Sequence, residues 1–347
     1  MKPLLILFFV VAFLCPGRIV LSQEISDVRW VARDTTSGSV QVTAYWNKGE
    51  KKKFRAYKFN KVFKNDSLIS EKTVMDAIME FEVIDSTAEG YGMTFRMLEN
   101  KQKNANALTS ELPLEQLDLK EDDLTLRYTT DANGSLKAIT NRIELEGRLD
   151  QIMQMVRKKQ MEAFKDNSEG ERKMITAISD KAANGKVLFS TMYEVFISQF
   201  HNLHGYVTGI NDTLNYKESI IHPATNKPID FDCYLYVATA DTLGMVRFDT
   251  DKYGDMTDFP KDYAAYLQAT REASGLKRDK KIEEGAAGLG MEMNTYISNV
   301  VDTNSGWPSY IKLTRVIATK KPESEDTEYR DEIWELDSDL GDKEEKR

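Results

Sequence analysis

The sequence predicts an α+β fold in one domain: a large, curved antiparallel sheet, half-barrel-like, wrapping three central helices. Three observations carry this. The first part of the chain and the part after residue 205 alternate apolar and polar side chains with a period of two, whereas the middle switches to a period of 3.6. The last of the middle segments, residues 186–205, is apolar around most of its circumference. There Phe189, Tyr193, Phe196, Phe200 and Leu203 recur at helical spacing, Leu188, Met192 and Val195 widen the stripe, and only Thr191, Glu194, Ser198 and His201 form a polar strip. Burying such side chains stabilises by roughly 1.5–3 kcal/mol each, so this helix demands a large apolar partner. A sheet curved around it meets that demand.

Taken in order, Val40, Val42, Ala44 and Trp46 share one face of a half-buried strand, which Asn47 and Gly49 turn. Residues 54–63 form a second strand, and Lys58, Lys61 and Lys64 give it the character of an edge or exposed strand. Met75, Ala77, Met79, Phe81 and Val83 line one face of the next, and Tyr91, Met93, Phe95 and Met97 alternate again after a turn. The hairpin so formed has one methionine-rich face, soft enough to line a cavity, although packing against helices explains it more simply. Residues 100–110 read as a polar loop. Leu124, Leu126 and Tyr128 open another strand, and Asn133-Gly134 turns into residues 136–139.

Leu145, Leu149, Ile152, Val156 and Ala163 then mark a helix over about residues 141–165, with Met153 beside the stripe. A second helix, residues 169–183, stops at Asn184-Gly185, and the third ends at Gly205. Short strands follow at 206–210, 214–221, 231–239 and 245–248. Pro260 suits the first turn of a helix running to about Ala273. Residues 276–290 are charged, then glycine-rich, and read as mobile. A hairpin over 295–319 turns at Asn304, Ser305 and Gly306, and residues 329–336 form the last strand.

Residues 1–22 read as a secretory signal peptide, with Lys2 before an apolar run and small residues ahead of Gln23. Bulky Leu14 argues against lipidation of Cys15, and Pro16, Gly17 and Arg18 cut the apolar run too short for a retained membrane anchor. The domain spans 23–336, and 337–347 is a charged, disordered tail with no linker dividing the rest. An exported chain implies the periplasm or cell envelope. A net charge of −9 argues against nucleic acid and against an electrostatic grip on anionic lipid. Past the leader, Cys233 is the one remaining cysteine, a small buried hydrophobe on a strand. Sequons at Asn65, Asn133 and Asn211 matter only in a glycosylating host.

Candidate chemistry is sparse. His201 and His204, with Glu194 two turns upstream, have the spacing of metal ligands, but a solvated helix face is the simpler reading. Glu194, Ser198 and His201 imitate a hydrolytic relay, yet a mid-helix serine has no free backbone N–H groups to build an oxyanion hole. Asp249, Asp251 and Asp255 lack the closing glutamate of a calcium loop and read as an acidic turn. The stretch Gly285 to Gly290 follows no strand and makes no phosphate loop. Trp307, after a tight turn, reads first as a packing anchor. No catalytic residue, metal site or cofactor is expected.

Several short pieces together carry a resemblance: the Asp131-Ala132-Asn133-Gly134 turn, Phe200 to Gly205, Asn211 to Tyr216, His222-Pro223 with Lys227-Pro228, and Ser305-Gly306-Trp307-Pro308. Over residues 124–336 the chain resembles a family of uncharacterised exported envelope proteins of Gram-negative bacteria. That family implies no activity and no transferable catalytic residues. Its architecture is similar to the half-barrels of periplasmic lipoprotein and lipid carriers, where a sheet wraps helices around an apolar cleft. The function expected is therefore a non-enzymatic periplasmic binding or carrier protein for an apolar or lipid-like ligand. Met79, Phe81, Met93, Phe95, Met153, Phe189, Met192, Phe196 and Trp307 would line its cleft. The alternative is a structural or protein-interaction component of the envelope with no small-molecule ligand and an envelope protein as partner.

Overall fold

A computed structural model describes residues 38–100, 121–182, 184–222, 224–240, 244–320 and 327–337. The segment expected to be a signal peptide, the polar loop expected after residue 100 and nearly all of the expected charged tail lie outside the described residues. The chain begins with β1 (Ser39–Gln41), β2 (Lys51–Lys64), β3 (Ser67–Thr87) and β4 (Gly90–Asn100), then β5 (Leu126–Thr130) and β6 (Leu136–Ile139). Helices α1 (Arg142–Ala163) and α2 (Glu169–Ala182) follow. The central helix, α3, comes in three joined pieces: Gly185–Phe189, a π-helical turn Ser190–Glu194, and Val195–His201. Next are β7 (Val207–Gly209), β8 (Thr213–Ile221), β9 (Pro228–Ala240) and β10 (Met245–Asp255), then α4 (Phe259–Ala273) and α5 (Lys280–Ala286). β11 (Gly290–Asp302), β12 (Pro308–Lys320) and β13 (Thr327–Asp337) complete it.

Eleven strands form one antiparallel sheet curled into a half-barrel, in the order β6-β5-β4-β3-β2-β13-β12-β11-β10-β9-β8. The topology explains why helices sit in the middle of the sequence. The chain enters at the centre of the sheet, meanders outward to β6 at one edge, and must then reach β8 at the other. Helices α1 to α3 make that crossing. A second meander brings β13 back against β2, in register from Arg55↔Asp337 to Glu328↔Lys64. Strands from before and after the helices thus form one sheet.

β2 is therefore a central strand, not the edge strand that its lysines suggest. The register places Lys61 opposite Glu71 on one side and Asp331 on the other, and Lys64 opposite Glu328. Lys61 reaches Glu71 at 3.5 Å, and Arg55 grips Asp76 with two bonds of 3.0 Å. Acidic positions on both flanking strands, β3 from the same hairpin and β13 from the end of the chain, make a basic strand tolerable in mid-sheet. The β2–β3 turn places Asn65 and Asp66 at φ of 49° and 63°, as a tight hairpin requires.

The largest core cluster lies in the β2–β5 half of the curl, where α3 is seated. Phe200 stacks on Phe81 with ring centroids 3.9 Å apart, and Phe54 meets both edge-on. α1 adds Leu145 and Leu149 to this cluster, and its Arg142 guanidinium lies over the Phe189 ring. α2 takes a different partner: Met174 and Ile178 pack on Tyr263 and Leu267 of α4. Three local expectations change. β10 continues through the acidic run to Asp255, because Phe248 and Thr250 keep the alternation going inward. The stretch after Leu276 contains α5, whose N-cap is Asp279 accepting from Lys281 N. Only Val40 and Gln41 of the first predicted strand join a ladder, within β1, although Val42, Ala44 and Trp46 do turn inward as one face.

Phe200→Ala is expected to cost about 3–5 kcal/mol, seen as a lower urea midpoint with unchanged slope. A loss under about 1 kcal/mol would mean that the ring occupies yielding space.

Candidate functional site

The residues expected to line a ligand cleft come together, but as packing. Met79 and Phe81 of β3, Met93 and Phe95 of β4, Phe189 and Phe196 of α3, and Trp307 just before β12 are all buried in one cluster. Met192 packs against that cluster from the π-helical turn, and Met153 is buried on α1 outside it. The rings interlock: Phe81–Phe95 at 4.8 Å, Phe95–Tyr193 at 6.0 Å, Phe189–Tyr193 at 5.5 Å and Phe200–Trp307 at 5.8 Å. These are the separations of directly packed aromatic pairs. Two hollows stand out among the described residues, and none of the nine lines either. One, of about 400 Å³, lies beside Met161, Arg172 and Thr176; the other, of about 180 Å³, lies beside Thr225, Ile229, Asp255 and Phe259.

At the C-terminal end of α3 the structure places a feature that helical spacing does not announce. His201 and His204 are buried, not solvated. His201 Nδ1 lies 2.7 Å from the Gly134 carbonyl and its Nε2 lies 3.0 Å from the Tyr128 hydroxyl. His204 Nε2 lies 2.8 Å from the Gly306 carbonyl. A carbonyl can only accept, so His201 carries its proton on Nδ1 and His204 on Nε2. Tyr128 then donates to His201 Nε2. The pair binds the end of α3 to two turns far away in sequence, β5–β6 and β11–β12. Gly134 and Gly306 both have positive φ, 95° and 77°, and a Cβ on Gly306 would lie 2.4 Å from the Thr43 carbonyl oxygen. Trp46 fills the space between, 4.7 Å from Trp307 and 5.1 Å from His204. Trp307 Nε1 donates to Glu50 Oε1 at 2.5 Å. The extended segment before Trp46 is pinned by Val42 N to Tyr206 O, Ala44 N to Asn133 O and Tyr45 N to Ser305 O.

This arrangement serves as a structural junction. Three of the four ring nitrogens are engaged, and His204 Nδ1 is buried without a partner. Glu194 turns away to Arg142, 2.6 Å off, and to Ser190. Ser198 donates to the Val195 carbonyl at 3.1 Å. The relay Glu194–Ser198–His201 is thus not assembled. No group of three or more His, Cys, Asp or Glu among the described residues could hold a metal ion. Cys233 is buried, and burial pushes its thiol up to about 11, so it is a poor nucleophile at neutral pH. Asp249, on a strand and not in a loop, pairs with Arg247 at 2.6 Å and accepts from Ser298 at 2.7 Å. No helix among the described residues is long and apolar enough to cross a membrane.

Large side chains remain on the outside. Tyr234, Tyr253 and Tyr296 are exposed on the outer face of β9, β10 and β11, and Leu68 and Ile69 are exposed at the β2–β3 hairpin tip. No family model matches the chain, and no curated protein matches it.

Burial lowers both imidazole pKa values, that of His201 well below its usual range and that of His204 to about 4. The unfolded chain therefore takes up these protons first, and stability is full above about pH 6.5. It falls as the pH drops from there toward 4, by about 2 kcal/mol at pH 5 from His204 alone. Urea midpoints measured between pH 7.5 and 5 should show this decline, and His204→Gln should make it shallower by the His204 share while the His201 share remains. A flat profile in the unmodified protein would contradict the neutral, buried pair.

Proposed function

We propose that the protein is an exported, non-enzymatic component of a cell envelope that acts by binding another protein at its surface. One observation supports this above the others. The curled half of the sheet is filled by the protein's own rings, with Phe200 stacked 3.9 Å from Phe81, while large apolar side chains stay exposed outside. A sheet that fills its own hollow has its free recognition capacity on outer faces and edges. β8, at one edge of the sheet, is nine residues long and among the described residues pairs with β9 alone. Its outward Lys217 is the kind of residue that deters indiscriminate strand addition. The resemblance of residues 124–336 to exported envelope proteins agrees with this reading. In it the helices form one body: α3 held by the sheet, α1 laid on α3, and α2 tied to α4.

A second reading, carriage of an apolar or lipid-like ligand, draws on the π-helical turn Ser190–Glu194. Such turns concentrate at functional sites, and this one places Met192 against the cluster that also holds Met79 and Met93. Ligand entry would require α3 to lift, exposing Met79, Met93 and Met192 as an adaptable wall.

Native mass spectrometry of protein purified from a cell envelope, followed by organic extraction, separates the two. The surface-binding reading expects the mass of the bare chain and no recovered lipid. A lipid at near-stoichiometric level would overturn it in favour of carriage.

A further inference from the structure

We propose that the outer face of β9–β11 carries a docking site for a cationic side chain, lysine or arginine, of a protein partner. The inference rests on the surface-binding reading. Its centre is Asp251, on β10. The register sets Tyr234 of β9 directly opposite Asp251 on one side and Tyr296 of β11 directly opposite on the other. Tyr253 stands two residues along β10 on the same face, its ring 5.9 Å from that of Tyr234 and 6.4 Å from that of Tyr296. Its plane is steeply inclined to both, by 67° and 85°. Three exposed rings thus stand around one carboxylate as walls, not as a flat platform.

Among the described residues the carboxylate has no counter-charge. Nearby Asp249 is held by Arg247 and by the Ser298 hydroxyl, whereas the contact of Asp251 among the described residues is the Tyr236 hydroxyl at 3.5 Å. Partial burial and the negative charge of Asp249 raise its pKa, which is the state of a carboxylate that a cation would relieve. Tyr234 and Tyr296 stand two strand spacings apart, roughly 9.6 Å. A cation above Asp251 is then roughly 5 Å from each ring, inside the ~6 Å reach of cation–π attraction. Aromatic walls around an acidic floor select an organic cation over a bare metal ion. Asp232 on β9 is already paired with Lys217 at 3.2 Å, so the added negative field comes from Asp255, two residues beyond Tyr253 on β10. A ring face also tolerates the aliphatic stem of lysine or arginine, which lies flat on apolar surface.

The experiment is a nuclear magnetic resonance titration of the folded full-length chain with acetyl-trilysine amide and acetyl-triarginine amide. Acetyl-trinorleucine amide and choline serve as comparison probes. Saturable shifts are expected at Asp251 and the three tyrosines with at least one basic peptide, and none with the norleucine peptide. Asp251→Asn and Tyr253→Ala, both solvent-facing, should weaken binding at least tenfold while leaving the thermal midpoint in place. Silence with both basic peptides, or equal binding by the Asp251→Asn variant, would overturn the proposal. So would a response to choline alone, which would assign the cage to a quaternary ammonium headgroup. Peptide binding in protein that also carries stoichiometric lipid would keep the cage and overturn the surface-binding reading. A bare mass together with silent peptides would do the reverse.

Discussion

Two neutral imidazoles at the end of α3 hold the molecule's crossings together. The sheet is open, so its two edges must be joined by a long connection, and the point where that connection turns back into strand is where the fold is most exposed to slippage. His201 and His204 fix that point by donating to the carbonyls of two glycine turns, one from each half of the sheet. Because carbonyls need N–H donors, the neutral rings carry their protons on different nitrogens, Nδ1 in His201 and Nε2 in His204. Burial enforces the neutrality. The tight turns in turn need glycine, since a side chain at Gly306 would strike the segment that carries Ala44. Trp46, Trp307 and Tyr128 then seal the junction against water, which would otherwise compete for each of these hydrogen bonds.

From that junction the rest follows by packing. α3 is drawn across the β2–β5 half of the curl, and its aromatic stripe meets the aromatic and methionine faces of β3 and β4 ring to ring. The β8–β12 half closes over smaller clusters, one above and one below an inward ion pair in which Lys252 meets Glu218 at 2.5 Å. A half-barrel shape alone leaves two functional outcomes open, a lined hollow or a filled one. The choice depends on whether helix side chains are long enough to reach the sheet, and here phenylalanines from both sides meet in the middle. In the proposed surface-binding role recognition falls to the outside, where three tyrosines and the Asp251 carboxylate share a face.

Much of this was legible in the sequence. Period-two alternation locates most strands, because burial on one face of a pleated strand is a local property of consecutive residues. The aromatic stripe of residues 186–205 identifies the helix that organises the core for the same reason. What was not legible depends on partners remote in sequence. The lysines of β2 look like an edge because β13, which flanks it opposite the β3 hairpin, comes from the far end of the chain. The acidic run 249–255 looks like a turn because its inward positions, Thr250 and Lys252, are polar. His201 and His204 look like a solvated strip because their acceptors lie 67 and 102 residues away. Helical spacing records only a face, not what covers it. The methionine-rich faces carry the same ambiguity: the pattern that lines a cavity also fills a core.

The central claim is that α3 is a fixed keystone of the fold and not a lid. Native-state hydrogen exchange of α3 amides in increasing urea tests it most directly. If α3 is fixed, the amides of Val195 to His201 exchange only by global unfolding, with the same free energy and urea dependence as the core amides of β3 and β4. Exchange of those α3 amides at a much lower free energy, while the strands remain protected, would show the helix lifting from the sheet and would contradict the account.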